Sequence, residues 1–184
     1  MSTIQKIRQY FYKNSLDKQL SFKRGTVSKT ITFENAKTIA LLFDANDLNL
    51  RKVILKYAAD LKKQDKKITL LGFMENTHEN QNYTYSYYNL KNIDWAKRPK
   101  GEVVDEFVKQ EFDILITAYL QTNLHTEYIS ARSKAGFKVG PVAKYPRVYD
   151  LMIDAGEKTN LLEFLRQIEI ILKKTKKKPE LQFV

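Results

Sequence analysis

Residues 36–74 read AKTIALLFDANDLNLRKVILKYAADLKKQDKKITLLGFM, and the fold turns on this stretch. TIALLFD (38–44) is a short run of bulky apolar residues, as expected of a strand covered on both faces. Asp47 or Asn49 can cap a following helix. Leu50, Val53, Ile54, Tyr57, Ala58 and Leu61 then fall at the spacing of one helical face. KITLLGFM (67–74) repeats the buried-strand pattern. Strand, amphipathic helix, strand is the unit of a parallel sheet.

The pattern continues outward. Ser2 with Gln5 forms a capping box, and Ile4, Ile7 and Phe11 at helical spacing predict a short helix over about residues 3–14. Thr30 to Phe33 suits a short edge strand. Tyr83, Tyr85 and Tyr87 alternate with Thr84 and Ser86, the period of a strand. Val103, Val104, Phe107 and Val108 predict a helix ending near Gln110. FDILITAYL (112–120) is another buried strand. Asn123 caps a helix over about 124–135, with Leu124, Tyr128 and Ala131 inward and Gly136 at its C′ position. A strand from Phe137 should break at Gly140-Pro141, and Val148 to Ile153 should form the last strand. Asn160 with Glu163 caps a final helix with Leu161, Leu165, Ile168 and Leu172 on one face. The expected fold is a single α/β three-layer sandwich with a mostly parallel, Rossmann-like sheet. Residues 1–36 form a basic N-terminal arm, 37–172 the α/β domain and 173–184 a lysine-rich tail.

In such sheets ligands sit beyond the carboxyl ends of the strands. That places Asp44, Asn46, Tyr119, Thr122, Asn123 and Gly140 on the candidate rim. Asp44 either accepts from a sugar hydroxyl or closes an Asx-turn with its own loop. Asp154, after the last strand, poses the same choice, and the two carboxylates pair only if their strands are neighbours.

The chain has 184 residues, 32 Lys and Arg against 21 Asp and Glu, and a net charge of +11. Residues 1–26 carry +5 and residues 165–184 carry +4, leaving +2 on the other 138. A nearly neutral core with basic ends suits a polyanion, RNA before membrane; it also suits a solvated surface with a frayed tail. The residues concerned are Lys6, Arg8, Lys13, Lys23, Arg24, Lys173, Lys174, Lys176, Lys177 and Lys178. The tyrosine cluster at 83–88 can stack bases or simply cover a sheet surface. Lys134 and Lys138 flank a helix C-terminus, where cations favour the dipole and phosphate does not bind.

Several chemistries are disfavoured. There is no cysteine, no apolar run near membrane-spanning length, and no apolar segment in the first 15 residues that would mark a secretory signal. Neither GxGxxG nor GxxxxGK[ST] is present, and no serine sits on a G-x-S-x-G elbow. His78 and His125 read as surface residues. No metal, cofactor or catalytic group is expected.

AKTIALLFDA (36–45), Arg51, Tyr57, KKITLLGF (66–73), FDILITAYLQTNLHTEYISARSKAGFKVG (112–140) and YDLMID (149–154) together resemble a family of small, uncharacterised α/β proteins from Bacteroidetes. The resemblance implies a bacterial, cytoplasmic protein and no particular activity. More weakly, residues 112–140 are similar to the acceptor-side half of heptosyltransferase-type glycosyltransferases, although the chain is too short to hold their nucleotide-sugar half.

The reading is of a non-enzymatic cytoplasmic binding protein whose basic ends contact RNA or a ribonucleoprotein such as the ribosome. The alternative is a small-ligand or glycosyltransferase-like half-domain using the rim around Asp44. A third is an interaction protein with a protein partner.

Overall fold

The computed structural model describes residues 2–21, 31–78, 82–156 and 159–174. Its sheet has six strands: β1 (Thr38–Asp44), β2 (Lys67–Met74), β3 (Ser86–Asn89), β4 (Ile114–Ala118), β5 (Phe137–Pro141) and β6 (Leu151–Ile153). The spatial order is β3-β2-β1-β4-β5-β6, and every neighbouring pair is parallel. This is the doubly wound, Rossmann-like order. Five helices accompany it among the described residues: α1 (Thr3–Ser21), α2 (Leu48–Lys62), α3 (Glu102–Lys109), α4 (Leu124–Arg132) and α5 (Leu161–Lys174).

β1 lies at the centre, and Ile39 to Phe43 are all buried. Successive side chains alternate between faces. Ile39, Leu41 and Phe43 join a cluster with Ile54 and Leu61 of α2 and Phe164 and Ile168 of α5. Ala40 and Leu42 join Val104 and Phe107 of α3 and Ile129 of α4. Both faces are therefore dry, which is why β1 and β4 read as unbroken apolar runs. Local chemistry ends the helices as expected. The Asp47 carboxylate accepts from the backbone N–H groups of Asn49 and Leu50 at 2.6 and 3.1 Å. Asn123 caps α4, and Asn160 and Glu163 bond reciprocally at the start of α5.

α1 differs from expectation. It runs to Ser21, and the side it buries carries Tyr12 and Leu16 rather than Ile4, Ile7 and Phe11. The Tyr12 hydroxyl donates to the Leu124 carbonyl at 2.7 Å, and Ser15 bonds the Tyr128 hydroxyl at 2.8 Å. A helix turns toward the face whose polar tips find partners once buried. α1 thus lies on the outer side of α4, where Tyr12, Leu16, Tyr128, Ala131, Val148 and Tyr149 form their own cluster. The Leu124–Tyr128–Ala131 stripe of α4 consequently meets α1 rather than the sheet, while Ile129 faces the sheet.

Smaller corrections arise from local turns, ring contacts and hydrogen bonds to distant chain. No strand occupies residues 31–33: Thr32 and Asn35 close a turn that buries Phe33, and Thr30 lies outside the described residues. Only Ser86–Asn89 of the tyrosine stretch joins the sheet. Tyr83 and Tyr85 instead stack on each other, with Arg51 of α2 5.0 Å from the Tyr83 ring centre. Gly136 is not a C′ residue, since α4 ends at Ser133 in extended backbone and the Gly136 N–H donates to Phe112. The α4 carbonyls are taken by Lys138, a fully buried side chain whose Nζ donates to the Ser130 carbonyl at 2.6 Å. β5 runs through Gly140 to Pro141, and β6 starts only at Leu151, because residues 146–148 form a 3₁₀ turn.

Candidate functional site

The strand order reverses between β1 and β4, so the crevice lies between the loops that follow them. The structure brings Asp44, Asn46, Tyr119 and Asn123 to this end of the sheet, and Gly140 to the end of the neighbouring β5. Their polar atoms are engaged in holding the loops. One Asp44 oxygen accepts from the backbone and side-chain amides of Asn46, at 2.9 and 2.6 Å. The Asn46 carbonyl oxygen in turn accepts from the Glu75 N–H at the end of β2, at 2.6 Å. Asn123 is occupied by the α4 capping box with Thr126. Asp154 likewise closes an Asx-turn with Gly156. Asp44 and Asp154 follow β1 and β6, with two strands between them, so they do not form an acid–base pair.

Aromatic rings pack beside these strand ends. The Tyr149 ring lies against Gly140: a Cβ placed there would stand 2.7 Å from it. Tyr119 is buried, and its hydroxyl is shielded from solvent without a partner. Burial, with the Asp44 charge beside it, pushes that hydroxyl's pKa well above the usual tyrosine value. His125, expected at the surface, is partly buried against Phe73 with ring centres 4.2 Å apart. Its Nδ1 lies 2.6 Å from the Tyr88 hydroxyl. Burial, and then the Lys97 charge, lower the His125 pKa to about 4. Burial raises that of Tyr88 well above its usual value. At pH 7 both are neutral, and the hydrogen bond between the Tyr88 hydroxyl and Nδ1 clamps β3 to α4. A histidine near 4 and a tyrosine far above 10 are poorly matched to proton transfer at neutral pH.

Behind the crevice sits Glu127 of α4, almost fully buried. Its Oε1 accepts from the Lys144 N–H at 3.1 Å and the Thr122 hydroxyl at 3.2 Å, while Oε2 is shielded without a partner. Burial raises its pKa. A raised carboxyl pKa means the native state holds the proton more tightly than the unfolded chain. Stability is then greatest at low pH and falls as pH rises through the folded-state value. Glu127→Gln should therefore gain over the natural chain as pH rises, by on the order of 1–3 kcal/mol at pH 8. Urea midpoints between pH 4 and pH 8 test this; a difference that does not change with pH refutes it.

The basic ends separate. Lys6, Arg8 and Lys13 lie on α1, outside α4, and Lys173 and Lys174 end α5 on the opposite face of the sheet. Lys13 pairs with Asp17 at 2.9 Å. Lys173 pairs with Glu169 at 3.1 Å and lies 5.2 Å from the Phe33 ring centre. Lys23, Arg24, Lys176, Lys177 and Lys178 fall outside the described residues. The described parts of the two ends do not form one patch.

What sequence reasoning missed is the outer side of α1. Tyr10 is 67% exposed, Phe11 46% and Ile4 68%. Phe11 meets Trp95, itself 55% exposed, edge-to-face at 5.4 Å. Exposed Lys6, Lys18 and Lys97 lie on the same helix and on the Trp95 turn. The Tyr12–Leu16 spacing with Ser15 beside it was the available signal that another face is buried. Among the described residues no group of three or more His, Asp or Glu is placed to hold a metal ion, and no helix is long and apolar enough to cross a membrane.

A family model matches residues 8–175, from within α1 to just past α5, and is described as a family of unknown function, DUF6913. The chain belongs to the DUF6913 family. The matched span includes most of α1 together with the whole sheet, so the helix that carries the exposed aromatics lies largely within the family's unit. No curated protein and no solved structure matches the chain, and the likeness to glycosyltransferases gains no support from these comparisons.

Proposed function

We propose that this DUF6913 protein is a non-enzymatic binding protein that contacts single-stranded RNA, free or within a ribonucleoprotein such as the ribosome, through the outer side of α1 and the Trp95 turn. The observation that carries the reading is the interleaving there of exposed rings, Tyr10, Phe11 and Trp95, with exposed cations, Lys6, Lys18 and Lys97. Unpaired bases stack on aromatic side chains while lysines neutralise the backbone. The net charge of +11 supplies long-range attraction for a polyanion. The strand-end alternative has less support, because Asn46 and Asn123 already hold their own loops and Tyr149 fills the space at Gly140. The basic ends act as separate contacts, with α1 the principal one.

The only tryptophan of the chain lies on this face, so its fluorescence reports contact directly. Titration with a single-stranded oligouridylate at low salt should quench Trp95 saturably, and added salt should reverse it. Tyr10→Ser should weaken binding roughly 5- to 150-fold, the range of one lost stacking contact. Lys6→Gln and Lys97→Gln should weaken it further and flatten the salt dependence. Absence of quenching at low salt, or affinity indifferent to all three substitutions, overturns the proposal.

A further inference from the structure

Trp95 sits on a turn that one carboxylate builds. Ile93 bridges Pro99 in antiparallel fashion, the Asp94 N–H donates to the Arg98 carbonyl at 3.0 Å, and the Lys97 N–H donates to the Asp94 carbonyl at 2.9 Å. Inside this loop the Asp94 carboxylate is fully engaged. Its Oδ1 accepts from the backbone N–H groups of Ala96 and Arg98, each at 2.9 Å. Its Oδ2 accepts from Arg98 Nε at 2.8 Å and lies 2.7 Å from Nη2 of the same guanidinium. We infer that Asp94 is a positioning residue for the RNA contact: it fixes Trp95 and Lys97 on the contact face without touching the nucleic acid itself. The inference rests on the RNA reading above and names the residue on which the place of its tryptophan depends.

The geometry suits Asp94 to this role and to no direct one. Its side chain is 15% exposed, both oxygens are taken, and its charge repels phosphate. Trp95 is exposed, whereas Ala96, the next residue, is fully buried. The turn is thus anchored at Ala96 and holds the Trp95 ring against Phe11 of α1. Lys97 has a φ of 65°, in the left-handed region that favours glycine. A lysine stays there only where its surroundings over-determine it. Here the Asp94 carbonyl holds the Lys97 N–H, and the carboxylate holds the residues on either side. A ring that is already ordered loses less freedom when a base stacks on it, so affinity depends on the turn as well as on the ring.

Charge alone predicts the opposite result, which gives the test its sign. Neutralising Asp94 releases the Arg98 guanidinium and makes the face more positive. A purely electrostatic surface would then bind single-stranded RNA more tightly, with a salt dependence steeper by about 0.7 in log–log slope if one further phosphate is contacted. Positioning predicts weaker binding.

Because the chain has a single tryptophan, its emission reads the turn before any RNA is added. In the full chain carrying Asp94→Ala, the fluorescence anisotropy of Trp95 should fall, its quenching by acrylamide should rise, and oligouridylate should bind roughly tenfold more weakly, within the range of one impaired stacking contact. Asp94→Asn keeps an oxygen for the two N–H groups and loses the ion pair. It should fall between the natural chain and Asp94→Ala in all three readouts, and it carries the comparison if Asp94→Ala fails to fold. Tighter oligouridylate binding by either variant, or an unchanged Trp95 anisotropy in both, overturns the inference. The two readings fail separately. Absence of quenching by oligouridylate in the natural chain overturns the RNA contact and this role with it, whereas RNA binding by the natural chain that both variants retain in full overturns the part given to Asp94 alone.

Discussion

Tyr12→Ala is expected to detach α1 from the body of the protein. Tyr12 is fully buried, and its ring packs against those of Tyr128 and Tyr145, with centres 5.9 Å away in each case. Its hydroxyl is the long-range tie to α4, donating across 112 residues to Leu124. Large aromatic residues truncated to alanine in such surroundings cost about 3–5 kcal/mol. The loss should be local first, because α1 is held by one satellite cluster while β1 is covered on both faces by the main ones. Amide exchange in α1 should therefore accelerate by roughly two to three orders of magnitude while that of β1 and β4 changes little. Tyr12→Phe separates the hydroxyl from the ring and should cost only about 1 kcal/mol. Unchanged protection of α1 in Tyr12→Ala would show that the helix is held by something other than this cluster.

The second large effect lies in the sheet. Gly140→Ala places a Cβ 2.7 Å from Cε1 and Cζ of Tyr149 and 3.1 Å from the Thr117 Cβ. Gly140 pairs with Met152 of β6, and its neighbour Val139 pairs with Ile116 of β4, so the strand has little freedom to move away. Tyr149 is buried in the α1–α4 cluster and has little room to retreat. Overpacking of this kind costs about 1–3 kcal/mol, and a rigid ring at such short range puts the expectation at the upper end. Chemical denaturation measures it. Tyr149→Ala introduced with Gly140→Ala should recover part of the loss, because the clashing ring is gone; strictly additive losses would mean that the two residues do not share the space.

Much of the fold was legible in the residues, and the reason is range. β1, β2 and β4 show as apolar runs, and α2 as a 3.6-residue stripe, because burial of a central strand or of one helical face leaves a mark within a dozen residues. The caps at Asp47, Asn123 and Asn160 were readable because a side chain bonding an N–H two or three residues on is local chemistry. The misreadings at Ile4, Ile7 and Phe11 obeyed the same periodic rule but chose the wrong side. Periodicity shows that a helix has an apolar face and does not say which partner will cover it. The candidate rim was legible as a set of strand ends, yet its occupancy was not. That Tyr149 covers Gly140, or that Tyr88 meets His125 across 37 residues, depends on chain far away in sequence.

The sequence alone therefore determined an alternating α/β domain, its central strands, its helix starts and a charge concentrated at the two ends. Only the tertiary structure decided the strand order β3-β2-β1-β4-β5-β6, and with it the separation of Asp44 from Asp154. It likewise decided that α1 and the end of α5 lie on opposite faces, and that Lys138 is a buried clamp on α4. Each of these depends on which of several competing long-range contacts gains the most from burying apolar surface while satisfying its polar tips. That comparison is made over the whole folded chain and leaves no local pattern to read.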